Sequence, residues 1–118
     1  RPSVFENLGV AYNRVGDKSS VEAAFTRAVQ LNPEQARALL ELALLRFDER
    51  DYVTSRQYYR RHVAIAPKSP KALLLCTQLA KVFGQRDEEA SCAEALEGIY
   101  PASSENREYQ SERREFGN

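Results

Sequence analysis

The sequence has no methionine and no tryptophan, and its 118 residues include one histidine and two cysteines. With only His62, Cys76 and Cys92, the chain lacks the ligand clusters and the paired nucleophile and base on which most enzyme sites depend. Lysine plus arginine and aspartate plus glutamate both total 17, so the formal net charge is zero. This balance argues against nucleic acid as a partner, because binding it requires a basic footprint.

Long apolar runs and catalytic motifs are also missing. No apolar run reaches the roughly 18 residues that a membrane-spanning helix needs, and no Gly-rich phosphate loop, G-x-S-x-G or H-E-x-x-H occurs. We therefore expect no enzyme activity, no cofactor and no metal. The chain opens on Arg1 without an initiator methionine, so we expect it to be a fragment or a processed form whose upstream signal, lipid anchor or further domain has been lost.

An internal repeat organises the sequence. Pro33, Pro67 and Pro101 are equally spaced along the chain. Apolar columns keep the same interval: Phe5, Leu39 and Leu73 form one, and Leu31, Ile65 and Ile99 another. That interval, about 34 residues, is the length of a helix–turn–helix repeat of the tetratricopeptide type. The sequence predicts three units, at about 2–35, 36–69 and 70–103, and a C-terminal extension, 104–118.

The residues inside each unit favour two antiparallel helices. In the second helix of the first unit, the apolar side chains lie at helical spacing: Val21, Ala24, Phe25, Ala28 and Val29. Asn32-Pro33 ends that helix, because proline offers no N–H donor and restricts the residue before it. Gly16-Asp17 forms the turn between the two helices of the first unit, and Asp17 is expected to cap the second of these helices. In the third unit we expect the second helix to start late, with Asp87 as its cap.

The extension is mostly polar, and Ser104 is expected to cap a short helix that runs to about Arg114. Its role would be to cover the end of the last repeat, since terminal repeats need a polar outer face; a frayed tail is the alternative. The predicted fold is all-α: one domain, 1–118, of tandem repeats in a right-handed α-solenoid with a short C-terminal capping helix.

The first unit resembles the tetratricopeptide consensus closely. It supplies the consensus residues Phe5, Leu8-Gly9, Tyr12, Phe25, Ala28 and Pro33, with Val21 where alanine is usual. The second unit carries Arg46 and His62 where tyrosine and alanine are usual, and in the third Cys76-Thr77 replaces Leu-Gly. Since this family binds other proteins, the resemblance implies a protein-binding scaffold.

His62, Cys76 and Cys92 are each open to a purely structural interpretation and to a functional one. His62 shares its column with Ala28 and Leu96, so we expect a partly buried, hydrogen-bonded histidine and not a catalytic base. Cys76 and Cys92 fall on the two antiparallel helices of the third unit, where they can form a disulfide in an oxidising compartment. The alternative is two small buried thiols.

The family resemblance also implies where a partner would bind. Tetratricopeptide repeats expose a groove along the first helix of each unit. Mapped onto this chain, the groove positions are Arg37, Leu40, Leu44, Phe47, Asp48, Lys71, Leu74, Gln78 and Lys81. Leu40, Leu44 and Phe47 share one helix face, which Leu74 extends, so an apolar stripe with a charged rim is expected. The alternative is that neighbouring helices or a missing repeat cover these residues.

A narrower resemblance concerns the third unit and the extension. The resemblance is carried by residues 79–87, Ala90-Ser91, Ile99-Tyr100-Pro101 and 104–109, with 38–43 and Asp51-Tyr52 in the second unit. They resemble the C-terminal end of the type IV pilus biogenesis/stability lipoproteins, which implies that this chain is a C-terminal fragment of such a protein. These lipoproteins are the tetratricopeptide pilotins of Gram-negative bacteria. The resemblance implies a lipid-anchored protein on the periplasmic side of the outer membrane, which binds the pilus secretin and assists its assembly.

Two consequences follow from this second resemblance. The family's anchor cysteine lies in an N-terminal lipobox, so neither Cys76 nor Cys92 would be lipidated, and membrane contact would occur only through an anchor absent from this sequence. A periplasmic location would favour the disulfide. The alternative functions are a generic co-chaperone or assembly scaffold, a regulatory segment of a larger enzyme, and a structural spacer.

Overall fold

The computed structural model describes residues 18–116, and this part of the chain is entirely helical. Its helices are α1 (Lys18–Leu31), α2 (Ala36–Asp48), α3 (Tyr52–Val63), α4 (Pro70–Val82), α5 (Arg86–Ile99) and α6 (Ser104–Phe116). The all-α fold is therefore confirmed. The predicted first helix of the first unit, with its Gly16-Asp17 turn, lies outside the described residues. The chain divides into two compact units, which differ from the three sequence repeats: from here on the first unit is 1–66 and the second unit is 67–118. The single-domain boundary stays a prediction.

The helix bounds reproduce the period of the sequence. Three helices have the same length and follow one another at the repeat interval: α2 at 36–48, α4 at 70–82 and α6 at 104–116. The extension therefore begins with a helix in the register of the first helix of a fourth repeat. The sequence pattern predicts a short capping helix or a frayed tail there, and does not indicate a further repeat.

The first unit is built on a core shared by α1 and α2. Its buried members are Val21, Phe25, Ala28, Ala38 and Leu42, and Val29, Leu45 and Tyr58 pack against them. Arg46 replaces the usual tyrosine, and its guanidinium donates to Glu22 on α1 at 3.0 Å and to Glu49 at 2.8 Å. Its hydrogen bond to Glu49 is the main cause of a raised Arg46 pKa.

Two buried polar side chains join α3 to α2. The Ser55 hydroxyl donates to the carbonyl of Ala43 at 2.6 Å and is fully buried. His62 is 5% exposed, and its Nδ1 lies 2.6 Å from the carbonyl oxygen of Ala36. Since buried polar groups are costly without a partner, both contacts fix the register of α3 on α2. The prediction of a buried, hydrogen-bonded histidine is confirmed.

The second unit combines an apolar core with a covalent link. Leu73, Leu75 and Leu79 of α4 and Leu96 of α5 are all buried, and the two helices pack against each other. The structure joins Cys76 and Cys92 by a disulfide, with their Cα atoms 6.2 Å apart. The bond connects the two antiparallel helices near their middles.

Tyr109 anchors α6 to the rest of the second unit. Its ring is buried, and its hydroxyl donates to Glu89 Oε2 at 3.1 Å. Lys81 Nζ and the Arg113 guanidinium lie 5.7 and 5.9 Å from the ring centre, within cation–π range. Burial, with the negative charge of Glu89 next, raises the pKa of Tyr109.

Two helix starts differ from the predicted ones. The second helix of the third sequence repeat, 70–103, begins at Arg86 with Gln85 as its cap residue, so Asp87 lies in the first turn. The reason is the preceding turn, which Gly84 closes with φ +67° and which sets the direction of the chain. At α6 the cap is Ser103 and not Ser104, because the Ser103 hydroxyl accepts from the N–H of Asn106 at 3.0 Å.

Candidate functional site

The predicted groove positions of the first unit lie along α2 with very different exposure. Arg37 and Asp48 are exposed, and Leu44 and Phe47 are half-buried. The Phe47 ring packs edge-on against Tyr52, with ring centres 5.0 Å apart. Arg37, Leu44, Phe47 and Asp48, which we call the α2 face, therefore form a partly apolar surface with a charge at each end.

The groove positions of the second unit are mostly engaged within that unit. Lys71 is exposed. The Gln78 side-chain amide donates to Glu112 on α6 at 3.1 Å. Lys81 contacts Glu89 at 3.9 Å. Gln78 and Lys81 thus help to hold the helices of the unit together.

Leu40 and Leu74 do not belong to the exposed apolar stripe that the sequence predicts. They are only 8% and 9% exposed, so the prediction that they are exposed groove residues is wrong. The physical reason is that the buried arc of each helix is wider than one stripe. On α2 it extends from Ala38 through Leu40 and on to Ala43. Of the predicted apolar groove residues on α2, Leu44 and Phe47 remain partly accessible.

The described residues contain no group of three or more histidine, cysteine, aspartate or glutamate side chains arranged to hold a metal ion. Between positions 18 and 116, every helix is too short or too polar to cross a membrane.

A second concave surface, which sequence reasoning missed, lies between α5 and α6. A cavity of about 530 Å³ opens there. We call it the α5–α6 groove, and its lining residues are Arg86, Glu89, Ala90, Ala93, Glu94, Glu97, Tyr109, Gln110 and Arg113. The repeat period could have revealed this groove. It gives α6 the register of the first helix of a fourth repeat, and the described residues contain no second helix for that repeat.

Comparison with known proteins identifies the class to which this architecture belongs. The sequence matches the tetratricopeptide repeat family over residues 7–70, more than half of the chain. The protein therefore belongs to the tetratricopeptide repeat family. Repeats of this family mediate protein–protein interactions.

Particular relatives come from type IV pilus systems. The chain is 38% identical over 113 residues to the type IV pilus assembly protein PilF of Pseudomonas aeruginosa, covering 96% of this chain and 45% of that protein. A solved structure of Pseudomonas aeruginosa PilF matches with a TM-score of 0.91 at 38% identity, over 95% of this chain and 50% of the other. The chain spans about half the length of the relatives that it matches.

A more distant structure shares the fold. The crystal structure of PilW, described as a widely conserved type IV pilus biogenesis factor, matches with a TM-score of 0.68 at 21% identity. The match covers 90% of this chain and 49% of that one. At this identity the likeness concerns the fold alone.

Proposed function

We propose that this protein is an assembly factor of the type IV pilus that binds the outer-membrane secretin and assists its localisation and assembly, as a pilotin does. The observation that carries the proposal is the 38% identity to PilF across 96% of the chain. The tetratricopeptide fold supports it, because this fold offers binding surfaces in place of a catalytic centre.

The disulfide supports a location outside the cytoplasm. Disulfides persist in oxidising compartments such as the periplasm and are rare in the cytosol. The Cys76–Cys92 bond therefore agrees with a protein that works on the periplasmic side of the outer membrane of a Gram-negative bacterium. In this proposal a lipid anchor outside the given sequence attaches the protein to that membrane.

The α2 face is the surface that we assign to the secretin. Leu44 and Phe47 would contact apolar side chains of an extended or helical secretin segment, while Arg37 and Asp48 would set its register. Both apolar side chains are half-buried in the unbound chain, so they are held in place before binding. Pre-positioned side chains lose little conformational entropy on association. Lys71 of the second unit is also exposed, and its role as a charged contact stays a prediction.

A pulldown from detergent-solubilised outer membranes tests this assignment, with the recovered secretin measured by immunoblot. The parent protein should recover secretin, and Leu44→Asp should reduce the recovery at least tenfold, because it places a charge in an apolar contact. Phe47→Ala should reduce it as well. Val53→Asp is the matched control, since Val53 is a 54% exposed apolar residue on α3 outside the α2 face.

The possible outcomes test the proposed partner and the proposed binding surface separately. Recovery with the parent and with Val53→Asp, and loss with Leu44→Asp, would support both assignments. Undiminished recovery with folded Leu44→Asp and Phe47→Ala variants would exclude the α2 face. If the parent itself recovers no secretin, the proposed partner is wrong.

A further inference from the structure

The α5–α6 groove occupies a defined place in the repeat. The helix pair α5 and α6 repeats the pair α1 and α2 two repeat periods further along the chain: α5 begins at 86 against 18, and α6 at 104 against 36. Each pair consists of a second helix followed by the first helix of the next repeat. The element that packs on α1 and α2 therefore indicates which kind of element could bind in the α5–α6 groove.

In the first unit, the next helix packs there. α3 follows α2 after a short turn, runs antiparallel to it and packs along it. Its residue Tyr58 packs against the core cluster that contains Val21, Phe25 and Leu42. The equivalent of α3 would thus begin near the C-terminal end of α6 and run parallel to α5.

The lining of the groove differs from its counterpart in chemistry. In the first unit these five positions are Val21, Phe25, Val29, Leu42 and Leu45; in the second they are Glu89, Ala93, Glu97, Gln110 and Arg113. Ala93 leaves open the space that Phe25 fills at the equivalent position of the first unit. The other four replacements exchange apolar side chains for polar or charged ones. A helix that presents an apolar contact here, as α3 does with Tyr58 in the first unit, would leave charges buried without partners.

Apart from Glu89, which Tyr109 and Lys81 already engage, the charges of the groove are arranged by sign. Arg86 begins α5 and Arg113 lies near the end of α6, so both mark the end of the groove far from the α5–α6 turn. Glu94 and Glu97 lie on the last turns of α5, near that turn, and both are exposed. Ala90 and Ala93 leave room between the two ends. A helix in the orientation of α3 would start at the arginines and finish at the glutamates.

We propose that the α5–α6 groove binds a helix of a partner protein that has an acidic first turn, small residues in the middle and a basic last turn. Such a helix would pair its acidic residues with Arg86 and Arg113 and its basic residues with Glu94 and Glu97. This charge order also agrees with the dipole of the bound helix, which favours acidic residues at its start and basic ones at its end. The proposal is independent of the secretin assignment, because it uses a different surface.

The probe is a pair of fluorescent peptides of about 14 residues, the length of α1 and α5. One carries glutamates in the first turn and lysines in the last turn around an alanine-rich centre. The other has the same composition with the two charged turns exchanged. Fluorescence anisotropy at low ionic strength should show that the acid-first peptide binds at least tenfold more tightly, because screening of exposed charges is weak there.

Two substitutions in the groove test the contacts. Arg113→Glu should weaken binding of the acid-first peptide about tenfold and strengthen binding of the exchanged peptide. Arg114→Glu is the matched control, because it makes the same charge change at the next position of α6, an exposed residue outside the groove lining. Ala93→Phe should abolish binding of both peptides by filling the cavity, as Phe25 fills the equivalent place in the first unit.

Each result decides for or against the groove. The proposal is overturned if neither peptide binds at about 1 mM, the range of the weakest specific complexes, since the groove would then be only a solvent-facing cap. It is also overturned if Arg113→Glu and Arg114→Glu act alike. Leu44→Asp should leave peptide binding unchanged; if it abolishes binding, the peptide occupies the α2 face. Circular dichroism and melting curves verify that every variant is folded.

Discussion

The turn between α2 and α3 contains a strained residue whose replacement should stabilise the protein. Arg50 has φ +64° and Gly84, one period later, has φ +67°. The two turns have the same hydrogen bonds: the N–H groups of Asp51 and Gln85 donate to carbonyls five residues back, at 2.8 Å each. Both therefore end their helices in a Schellman motif, which favours glycine in the left-handed position. Arg50 occupies that position with a β-carbon.

The expected gain from Arg50→Gly follows from two opposing terms. The left-handed conformation costs a residue with a β-carbon roughly 1–2 kcal/mol. Glycine loses more chain entropy on folding, which removes roughly 0.5–1 kcal/mol of that gain. The Arg50 side chain is exposed, so its loss costs little. We expect a net stabilisation of about 0.5–1 kcal/mol and a rise in melting temperature of roughly 2–8 °C for a domain of this size.

Thermal and urea unfolding followed by circular dichroism measure this change against two controls. Arg50→Ala removes the side chain but keeps the strained β-carbon, so its stability should stay within about 0.5 kcal/mol of the parent. Gly84→Ala introduces the same strain and should cost about 1 kcal/mol. A β-carbon at Gly84 meets nothing within 4 Å, so this loss would come from the backbone alone.

One pattern would refute the reasoning. If Arg50→Gly and Arg50→Ala have equal stability, the left-handed turn is not a source of strain. A Gly84→Ala variant as stable as the parent would lead to the same conclusion for the third repeat.

Three further predictions concern single contacts. Reduction of the Cys76–Cys92 disulfide should lower the unfolding free energy by about 3 kcal/mol, because the bond closes a loop with a sequence separation of 16; urea unfolding with and without reductant measures this, and a double Cys→Ala variant should not respond to reductant. Ser55→Ala should cost about 1–3 kcal/mol, since it leaves the buried carbonyl of Ala43 without its donor; an unchanged urea midpoint would contradict this. Because burial raises the pKa of Tyr109 above its ordinary value of 10.0, its contribution to stability is complete below about pH 10 and is lost as pH rises through the folded-state pKa. Tyr109→Phe should therefore lose less unfolding free energy than the parent as the pH rises above about 10, and equal slopes for the two proteins would exclude this effect.

The repeat period determined the helical units without any structure. Proline, glycine and apolar residues act locally, through dihedral limits and helix periodicity, so their spacing alone located Pro33 and Pro67 at the ends of units. The same periodicity brought Cys76 and Cys92 onto facing helices, where the structure has a disulfide. It also predicted that His62 would be buried, because its column contains Ala28 and Leu96.

Tertiary structure decided how much of each helix is covered. Leu40 and Leu74 occupy the periodic positions of an open groove, yet both are buried, because burial depends on neighbours that a helix-face pattern does not specify. The starts of α5 and α6 were likewise set by turn hydrogen bonds at Gly84 and Ser103.

The α5–α6 groove shows the same division between sequence and structure. Sequence supplies Ala93 in the column of Phe25, but only the packing of α6 on α5 turns that small residue into a cavity. The sequence by itself determined which segments are helical and how they repeat, since those properties follow from local chemistry. The tertiary structure alone decided which side chains remain accessible to a partner, since accessibility is a property of the packed helices together.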